Sequence, residues 1–538
     1  MPSWTPTPDN GTAYINGRIF TANEAQPEAE AFIVSPDGLF TAVGTTDDIM
    51  AQAKRDDLVI HDLRSQFIMP GMHDAHVHML WAGLYHFSSA GFDVEKSIPA
   101  AEAAGKVKSA ACACHYAHAF SHWLNGHTFL IDDYDRSCLD EAYPDTPVMI
   151  RAGAGHSLLL NTVALKESGY DIENEPPMKA AFLGRRPDGS LTGEVAEIGM
   201  TKALLACPKP TMSHMQRAMK YAVGQLHMAG VTSCQEASAN TPLLHLLRQL
   251  DEQKQLKLDI CTHIVYAPEY MGEEPASSLR DLLDASESFK TKHVDTRFVK
   301  IVLDGVPLAP YYSHAGLTKE DGVDEEKICV DDVVEAVARY DERGMTCKIH
   351  CTGKGATRRA LDAIEAARKN HADGPRHEIA HCSGVSDVDY PRFRELNTTA
   401  EMSPAFFFTH EFSPEEQALQ DWNFPRMLSH KAHMTIGSDW GVPESPNLFP
   451  GIEGIVAPVG EGDRERGAKM LLRMLTIAGA EAVGHEKDTG SIEVGKRANF
   501  IQLNRDLSKG EAGAFTEAKV LKTWFEGELV FDDSIVLS

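Results

Sequence analysis

The sequence predicts an α/β protein whose main body alternates strands and helices. Short apolar runs such as Thr346 to His350 and Met434 to Ile436 alternate with amphipathic stretches such as Val330 to Arg343. A chain of 538 residues, 43% hydrophobic and 24% charged, is also long enough to bury a large core. Repeated strand–helix units of this kind favour a parallel sheet or a barrel.

The two ends of the chain have a different sequence pattern, in which short β-like runs are separated by turns. Thr12 to Gly71 predicts a small antiparallel sheet, and Val520 to Val530, turned at Glu526-Gly527, predicts a hairpin. We therefore expect one composite β-sandwich domain built from residues 1–70 and 485–538. Residues 71–484 form the strand–helix body, interrupted after its first strand by an insertion at about 88–217, where the rhythm is lost.

Composition excludes several classes of protein. With 51 basic and 78 acidic residues the formal net charge is −27, which opposes binding to nucleic acid or to anionic lipid. No window approaches the roughly 20 apolar residues that span a bilayer. Scattered cysteines and the lack of a signal-like start predict a reduced, cytoplasmic protein. The expected partners are a small-molecule substrate and a second copy of the chain in a homodimer.

The first chemical signal is the run Met69-Pro70-Gly71-Met72-His73-Asp74-Ala75-His76-Val77-His78. Alternate residues of a strand face the same side, so His76 and His78 can both point at one metal ion. A His-x-His pair alone is ordinary, but the preceding Pro-Gly turn and the following apolar run favour a functional interpretation.

Four further polar residues each end a strand-like run, where barrel enzymes place their catalytic groups. One such residue could cap a helix or lie on the surface. Four in strand–helix order make that alternative improbable. They are Lys300, His350, His381 and Asp439.

With these motifs the chain resembles the amidohydrolase superfamily, and more closely its amidohydrolase-3 branch of N-substituted formamide deformylase-like enzymes. The resemblance covers nearly the whole chain. It is carried by the segments Pro70–His78, Val299-Lys300 with Asp304-Gly305, His350–Gly353, His381, Gly437-Ser438-Asp439 and Thr489–Asn499.

The resemblance implies a distorted (β/α)8 TIM barrel that holds one or two divalent metal ions. It implies that His76 and His78 bind the more buried ion and that His350 and His381 bind the second. Lys300 would bridge the ions as a carbamate, and Asp439 would be both ligand and proton shuttle. Imidazole and carboxylate ligands without thiolates suit zinc best.

Substrate contacts are predicted at four further residues. The segments Gly155-His156-Ser157 with Asn161 resemble the insertion signature of this branch, so His156 and Asn161 are expected to face the substrate. Asp304 follows the Lys300 strand, and Trp440 follows Asp439 as part of an apolar wall. Lys354 stands where this branch often carries an acid, which indicates either a carboxylate-bearing substrate or, as we favour, a rearranged surface.

The favoured activity is hydrolysis of an amide-like, N-acyl or N-formyl carbon–nitrogen bond that is not a peptide bond, by metal-activated water. Alternatives are a mononuclear deaminase, a non-hydrolytic decarboxylase, hydratase or carbon–carbon lyase on the same ligands, and a non-catalytic binding protein. A metal-free Schiff-base lyase using Lys300 is a further alternative. The group Cys112, Cys114, His115, His118 and His122 is interpreted as the polar stripe of a helix, and His73 as a core residue.

Overall fold

The central feature of the fold is an eight-stranded sheet in which all neighbouring strands are parallel. A computed structural model describes residues 10–88, 90–91, 97–111, 122–308, 311–403 and 422–536. The strands pair in chain order, and a bridge between Val77 and Trp440 brings the first strand to the end of the eighth. The sheet thus nearly closes, which confirms the predicted distorted barrel. The strands are Met72–Val77, Val231–Ala239, Asp259–Ala267, Val294–Val302, Thr346–Cys351, Glu378–His381, Thr399–Met402 and His433–Ile436.

Helices separate the barrel strands and pack their apolar faces against the sheet. The helix Thr241–Glu252 shows the pattern, since Asn240 caps its first turn and its leucines are buried at helical spacing. No helix in the described part of the chain is long and apolar enough to cross a bilayer. The helices of the barrel are Met79–Ser88, Met212–Met228, Thr241–Glu252, Glu269–Gly272, Ala276–Asp284, Val333–Glu342, Lys354–Asn370, Tyr390–Glu395, Phe424–Ser429, Phe449–Ile452, Val456–Val459, Arg464–Met474 and Ile477–Val483.

The barrel closes through unusually close contact between its first and eighth strands. A Cβ added at Gly437 would lie 2.5 Å from the Cβ of His76, so only glycine fits there. The next residue, Ser438, donates from its backbone N and its Oγ to Asp74, at 2.9 and 2.5 Å. These contacts bring Asp439 beside His76, whose carbonyl accepts the Asp439 backbone N–H at 2.8 Å.

Strands from both chain ends share one six-stranded sheet that packs against a four-stranded sheet. The prediction of a purely antiparallel N-terminal sheet is wrong, because the helix Thr46–Arg55 acts as a crossover and leaves Val59–Asp62 parallel to Thr12–Ile15. The six-stranded sheet runs Glu528–Asp532, Val520–Phe525, Phe500–Leu503, Phe67–Pro70, Arg18–Phe20, Glu28–Ala29, and the other runs Phe40–Gly44, Ala31–Val34, Thr12–Ile15, Val59–Asp62. The domain boundaries given above stay a prediction.

The core between these two sheets is aromatic. The Phe500 ring stacks on Trp524 at 4.5 Å and meets Phe32 edge-on at 4.9 Å. We expect Phe500→Ala to lower the free energy of unfolding by about 3–5 kcal/mol, because it removes a fully buried ring from four aromatic neighbours. A lower urea midpoint would show this. Val494→Ala, at a residue 64% exposed, is the control, and equal midpoints for the two variants would contradict the prediction.

A third sheet fills the insertion between the first and second barrel strands. Its order is Ala181–Arg185, Leu191–Glu197, Ser157–Leu160, Val148–Ala152, Leu124–His127 and Ala90–Gly91. A separate parallel pair joins Ser97–Pro99 to Leu130–Asp132. The remaining α-helices of the described residues are Ala100–Ala111, Ser137–Ala142, Thr162–Glu167, Thr201–Ala206 and Asp533–Val536. The insertion brings residues such as His156 to the mouth of the barrel.

Candidate metal centre

Three buried ligand-type side chains meet at the ends of the first and eighth barrel strands. The Asp439 Oδ1 lies 3.2 Å from the His78 Nε2 and 3.6 Å from the His76 Nε2. All three residues are at most 6% exposed. The Asp439 backbone has a φ of 54°, in the left-handed region, and such strain is concentrated at functional sites.

The hydrogen bonds of the two imidazoles show which ring nitrogens carry protons. The His76 Nδ1 donates to Glu401 Oε2 at 2.7 Å. The His78 Nδ1 donates to the Ser238 Oγ at 2.9 Å, because that hydroxyl itself donates to Glu236. Burial lowers the pKa of both histidines, so both rings are neutral. Each Nε2 therefore points a lone pair at the Asp439 carboxylate.

Two nitrogen lone pairs and a carboxylate oxygen repel each other unless a cation lies among them. The Asp439 Oδ1 is buried and has no hydrogen-bond partner in the described ranges. Ligands of one tetrahedral zinc ion lie about 3.4 Å apart, close to the separations found here. The donor set therefore fits a divalent metal ion.

The three other predicted ligands line the same cavity close to His76. The Lys300 Nζ is 3.3 Å from the His76 Nε2, and burial followed by the charge of Lys348 lowers the pKa of Lys300. The His381 ring lies 4.8 Å from that of His76 and 4.5 Å from that of His350. His350 donates from Nε2 to the Gly305 carbonyl at 3.1 Å, which leaves its Nδ1 as an acceptor. Barrel strands one, four, five, six and eight thus contribute to one site.

A cavity of about 750 Å³ opens over these groups. His156 lines it, with its ring 5.0 Å from that of His350. Its Nδ1 donates at 2.9 Å to Glu197, which also accepts from Tyr270 and Ser313. This network holds the imidazole towards the cavity. The apolar part of the lining consists of Trp81, Phe129, Met271, Val306, Pro307, Leu308, Trp422 and Val442.

Three residues predicted to bind substrate do not line this cavity. Asn161 is fully buried and caps the helix Thr162–Glu167. Its side-chain amide forms hydrogen bonds with backbone groups, which gives it a structural role. Asp304 is also buried and accepts three backbone N–H bonds that fix the loop after His350. Trp440 donates its indole N–H to the Glu444 carbonyl.

Several residues of the site were not found by sequence reasoning. Glu401 lies near the end of the seventh barrel strand and orients His76. A polar residue at a strand end is the same signal that predicted Lys300 and His350. Ser238 and Glu197 orient His78 and His156 in the same way. Trp81 stacks on His78 at 4.4 Å, a contact that no pattern in the sequence indicates.

Other features noted in the sequence take no part in this site or lie outside the described residues. Cys112, Cys114, His115 and His118 fall in the undescribed segment 112–121. His73 is buried with one ring nitrogen 2.9 Å from Ser233 and the other 3.1 Å from Gln235, as expected of a core residue. Lys354 begins the helix Lys354–Asn370 at an exposed position.

Fold and site together are those of a barrel protein with a candidate site for a divalent metal ion. The family model described as the amidohydrolase family matches residues 59–531, and the chain belongs to this family, in its amidohydrolase-3 branch. The predicted resemblance is thereby confirmed.

Individual relatives are distant but cover nearly the whole chain. The N-substituted formamide deformylase of Arthrobacter pascens is 23% identical over 96% of this chain and 98% of its own. The protein LONG AFTER FAR-RED 3 of Arabidopsis thaliana is also 23% identical, over 96% of this chain and 91% of its own. The crystal structure of an uncharacterized metal-dependent hydrolase from Pyrococcus horikoshii has the same fold, with a TM-score of 0.68, 20% identity and coverage of 94% and 99%.

Glu401 offers a test of the metal centre that leaves every proposed ligand in place. We expect Glu401→Gln to weaken metal affinity about tenfold and Glu401→Ala up to about a hundredfold, because His76 loses the carboxylate that orients it and raises its basicity. Competition with a fluorescent chelator measures this affinity. The exposed Glu465→Gln is the control, and unchanged affinity in both Glu401 variants would show that Glu401 has no such role.

Proposed function

We propose that this protein hydrolyses an amide-like carbon–nitrogen bond, such as an N-acyl or N-formyl linkage, in a small molecule. The observation that carries the proposal is the convergence of the ligand atoms of His76, His78 and Asp439 at one wall of the 750 Å³ cavity. The name of the Arthrobacter relative supports the bond class, since that protein is an N-substituted formamide deformylase. The apolar lining supports a substrate with an organic substituent on the amide.

The proposed metal is zinc, held by His76, His78 and Asp439, with His350 and His381 at a second position. Bound divalent ions supply Lewis acidity, which acidifies water and polarises a carbonyl group. Glu401 and Ser238 fix the tautomers that present nitrogen lone pairs. The imidazole and carboxylate donors suit zinc better than softer or harder metals.

Asp439 is the proposed acid–base group. The Asp439 carboxylate accepts the proton of the attacking water, and the same carboxyl group then gives that proton to the leaving nitrogen. An ionised carboxylate accepts a proton when the reaction supplies one, and it releases that proton readily to the more basic amine. The strained backbone and the contact with His76 hold the carboxylate at the reacting atoms.

Lys300 is proposed to become a carbamate that bridges two metal positions. Its neutral amine adds carbon dioxide, forming an N–C bond and releasing one proton. The lowered pKa of Lys300 supports this step because only the free amine reacts. The Nζ lies beside His76 Nε2 and also lines the cavity with His350 and His381, as a bridging ligand requires.

The experiment combines metal analysis with a substrate screen. Purified protein is expected to carry one or two divalent ions per chain, and chelation is expected to abolish activity that zinc or manganese restores. N-formyl and N-acyl amines are screened beside matched esters, with release of the free amine as the readout. Full activity without metal would overturn the proposal. Carbon–carbon cleavage or hydration without amine release would favour a non-hydrolytic member of the family.

A further inference from the structure

A second cavity lies on the far side of Trp81 from the candidate metal centre. It encloses about 1010 Å³ between the helix Met79–Ser88, the insertion sheet and the segment Cys207–Pro210. A smaller space of about 310 Å³ shares Trp81 and Arg151 with it and shares Phe129 and Val442 with the metal cavity. The apolar wall of the second cavity consists of Leu80, Trp81, Leu84, Trp123, Met149, Pro208, Pro210, Met215 and Pro242.

The charges that line this cavity do not balance. Arg151 donates from Nη2 to Glu273 Oε1 at 2.7 Å, and Lys209 donates from Nζ to Glu273 Oε2 at 3.1 Å. These three are the charged side chains of the lining in the described part of the chain, so one carboxylate is shared by two cations. In a chain of net charge −27, this leaves a local surplus of positive charge.

The cavity also presents unused hydrogen-bonding capacity. The Asn125 Oδ1 is buried in the lining and has no hydrogen-bond partner in the described ranges. Arg151 is 7% exposed, and besides Glu273 it bonds to the Tyr85 hydroxyl and lies over the Trp81 ring. The buried Asn125 oxygen is costly to leave without a hydrogen-bond donor.

We propose that this cavity binds a small aromatic carboxylate. The carboxylate pairs with Arg151 and Lys209, since together they supply the positive charge that Glu273 does not neutralise. The ring packs against Trp81 and Trp123. This molecule is either a separate ligand or the acidic part of a substrate that extends past Trp81. In both cases the cavity recognises an aromatic ring that carries a carboxylate.

Trp81 connects the second cavity to the metal centre. One ligand, His78, stacks on its indole at 4.4 Å, and the Arg151 guanidinium lies 4.5 Å from the same ring. A bound carboxylate that attracts the Arg151 guanidinium therefore changes the contact between Arg151 and Trp81, the ring that packs against His78. The proposal does not depend on the proposed hydrolysis, because binding alone tests it.

The test is isothermal titration of the full-length protein with 1-naphthoate, beside its neutral analogue 1-naphthalenemethanol. We expect naphthoate to bind at least about tenfold more tightly than the alcohol. Arg151→Met is expected to weaken naphthoate binding about tenfold, and Lys209→Met at least about threefold, with little effect on the alcohol. Lys209 is 38% exposed, so its variant tests the proposal even if Arg151→Met does not fold.

Lys202→Met is the matched control, because this lysine is 39% exposed and pairs with Glu175 outside the cavity. Its binding constant is expected to equal that of the wild type. The titration is repeated after chelation, since a carboxylate can also bind a metal ion. Binding that disappears with the metal, binding that neither cavity substitution weakens, or no binding of naphthoate would each overturn the proposal.

Discussion

Replacing Asp439 by asparagine is expected to lower turnover at least about a hundredfold, and up to about ten-thousandfold, while the melting temperature and most of the metal are retained. Asparagine keeps the size and one oxygen of the side chain but cannot take up and return a proton. General acid–base catalysis typically contributes this factor. Turnover, melting temperature and metal content measured on one preparation give the result.

The competing interpretation is that Asp439 only caps the loop that follows it. The structure argues against this, because the Val442 N–H bonds to the backbone carbonyl of Asp439 and not to its side chain. Asp463→Asn is a suitable control, since Asp463 caps the helix Arg464–Met474 and asparagine caps equally well. Near-normal turnover in Asp439→Asn with metal retained would remove Asp439 as the proton shuttle.

Replacing Lys300 by alanine is expected to lower turnover about a thousandfold and to remove at least one metal ion per chain. The buried amine lies 3.3 Å from His76 Nε2, so its loss takes away the proposed bridging ligand. A metal ion contributes several kcal/mol of transition-state stabilisation, and about 4 kcal/mol corresponds to a factor of a thousand. Metal content by mass spectrometry accompanies the rate measurement.

Two further substitutions at Lys300 separate the carbamate from other roles. Lys300→Glu is expected to retain part of the metal, because a carboxylate resembles the oxygens of the carbamate. Lys300→Arg is expected to be inactive, and full activity would exclude the bridging role because a guanidinium cannot form the carbamate. Trapping of Lys300 by borohydride with a carbonyl substrate would instead favour the Schiff-base lyase.

The barrel was predictable because several of its strands are short apolar runs that end in a polar residue. The same signal gave Lys300, His350, His381 and Asp439, and the alternation of residues along a strand gave His76 and His78. The structure brings all six to one cavity. Strand order follows chain order in such folds, so residues at successive strand ends must converge.

Two kinds of residue were harder to predict: those that resemble substrate contacts but bond to the backbone, and those that act through another side chain. Asn161 and Asp304 lie in motifs that resemble the family, but their polar atoms are hydrogen-bonded to backbone groups. Whether a side chain faces a cavity or a neighbouring loop depends on tertiary contacts that sequence spacing does not encode. Glu401 and Glu197 illustrate the converse, because each gains its role only from a histidine brought to it by folding.

The shared sheet of the two chain ends has a consequence for folding during synthesis. Phe67–Pro70 pairs on one side with Arg18–Phe20 and on the other with Phe500–Leu503. Its second partner leaves the ribosome about 430 residues later, a delay of roughly 20–90 s at ordinary translation rates. During that interval the strand has an unpaired edge, which is a template for association with other chains. The nascent chain therefore needs protection at this edge until its last strands are made.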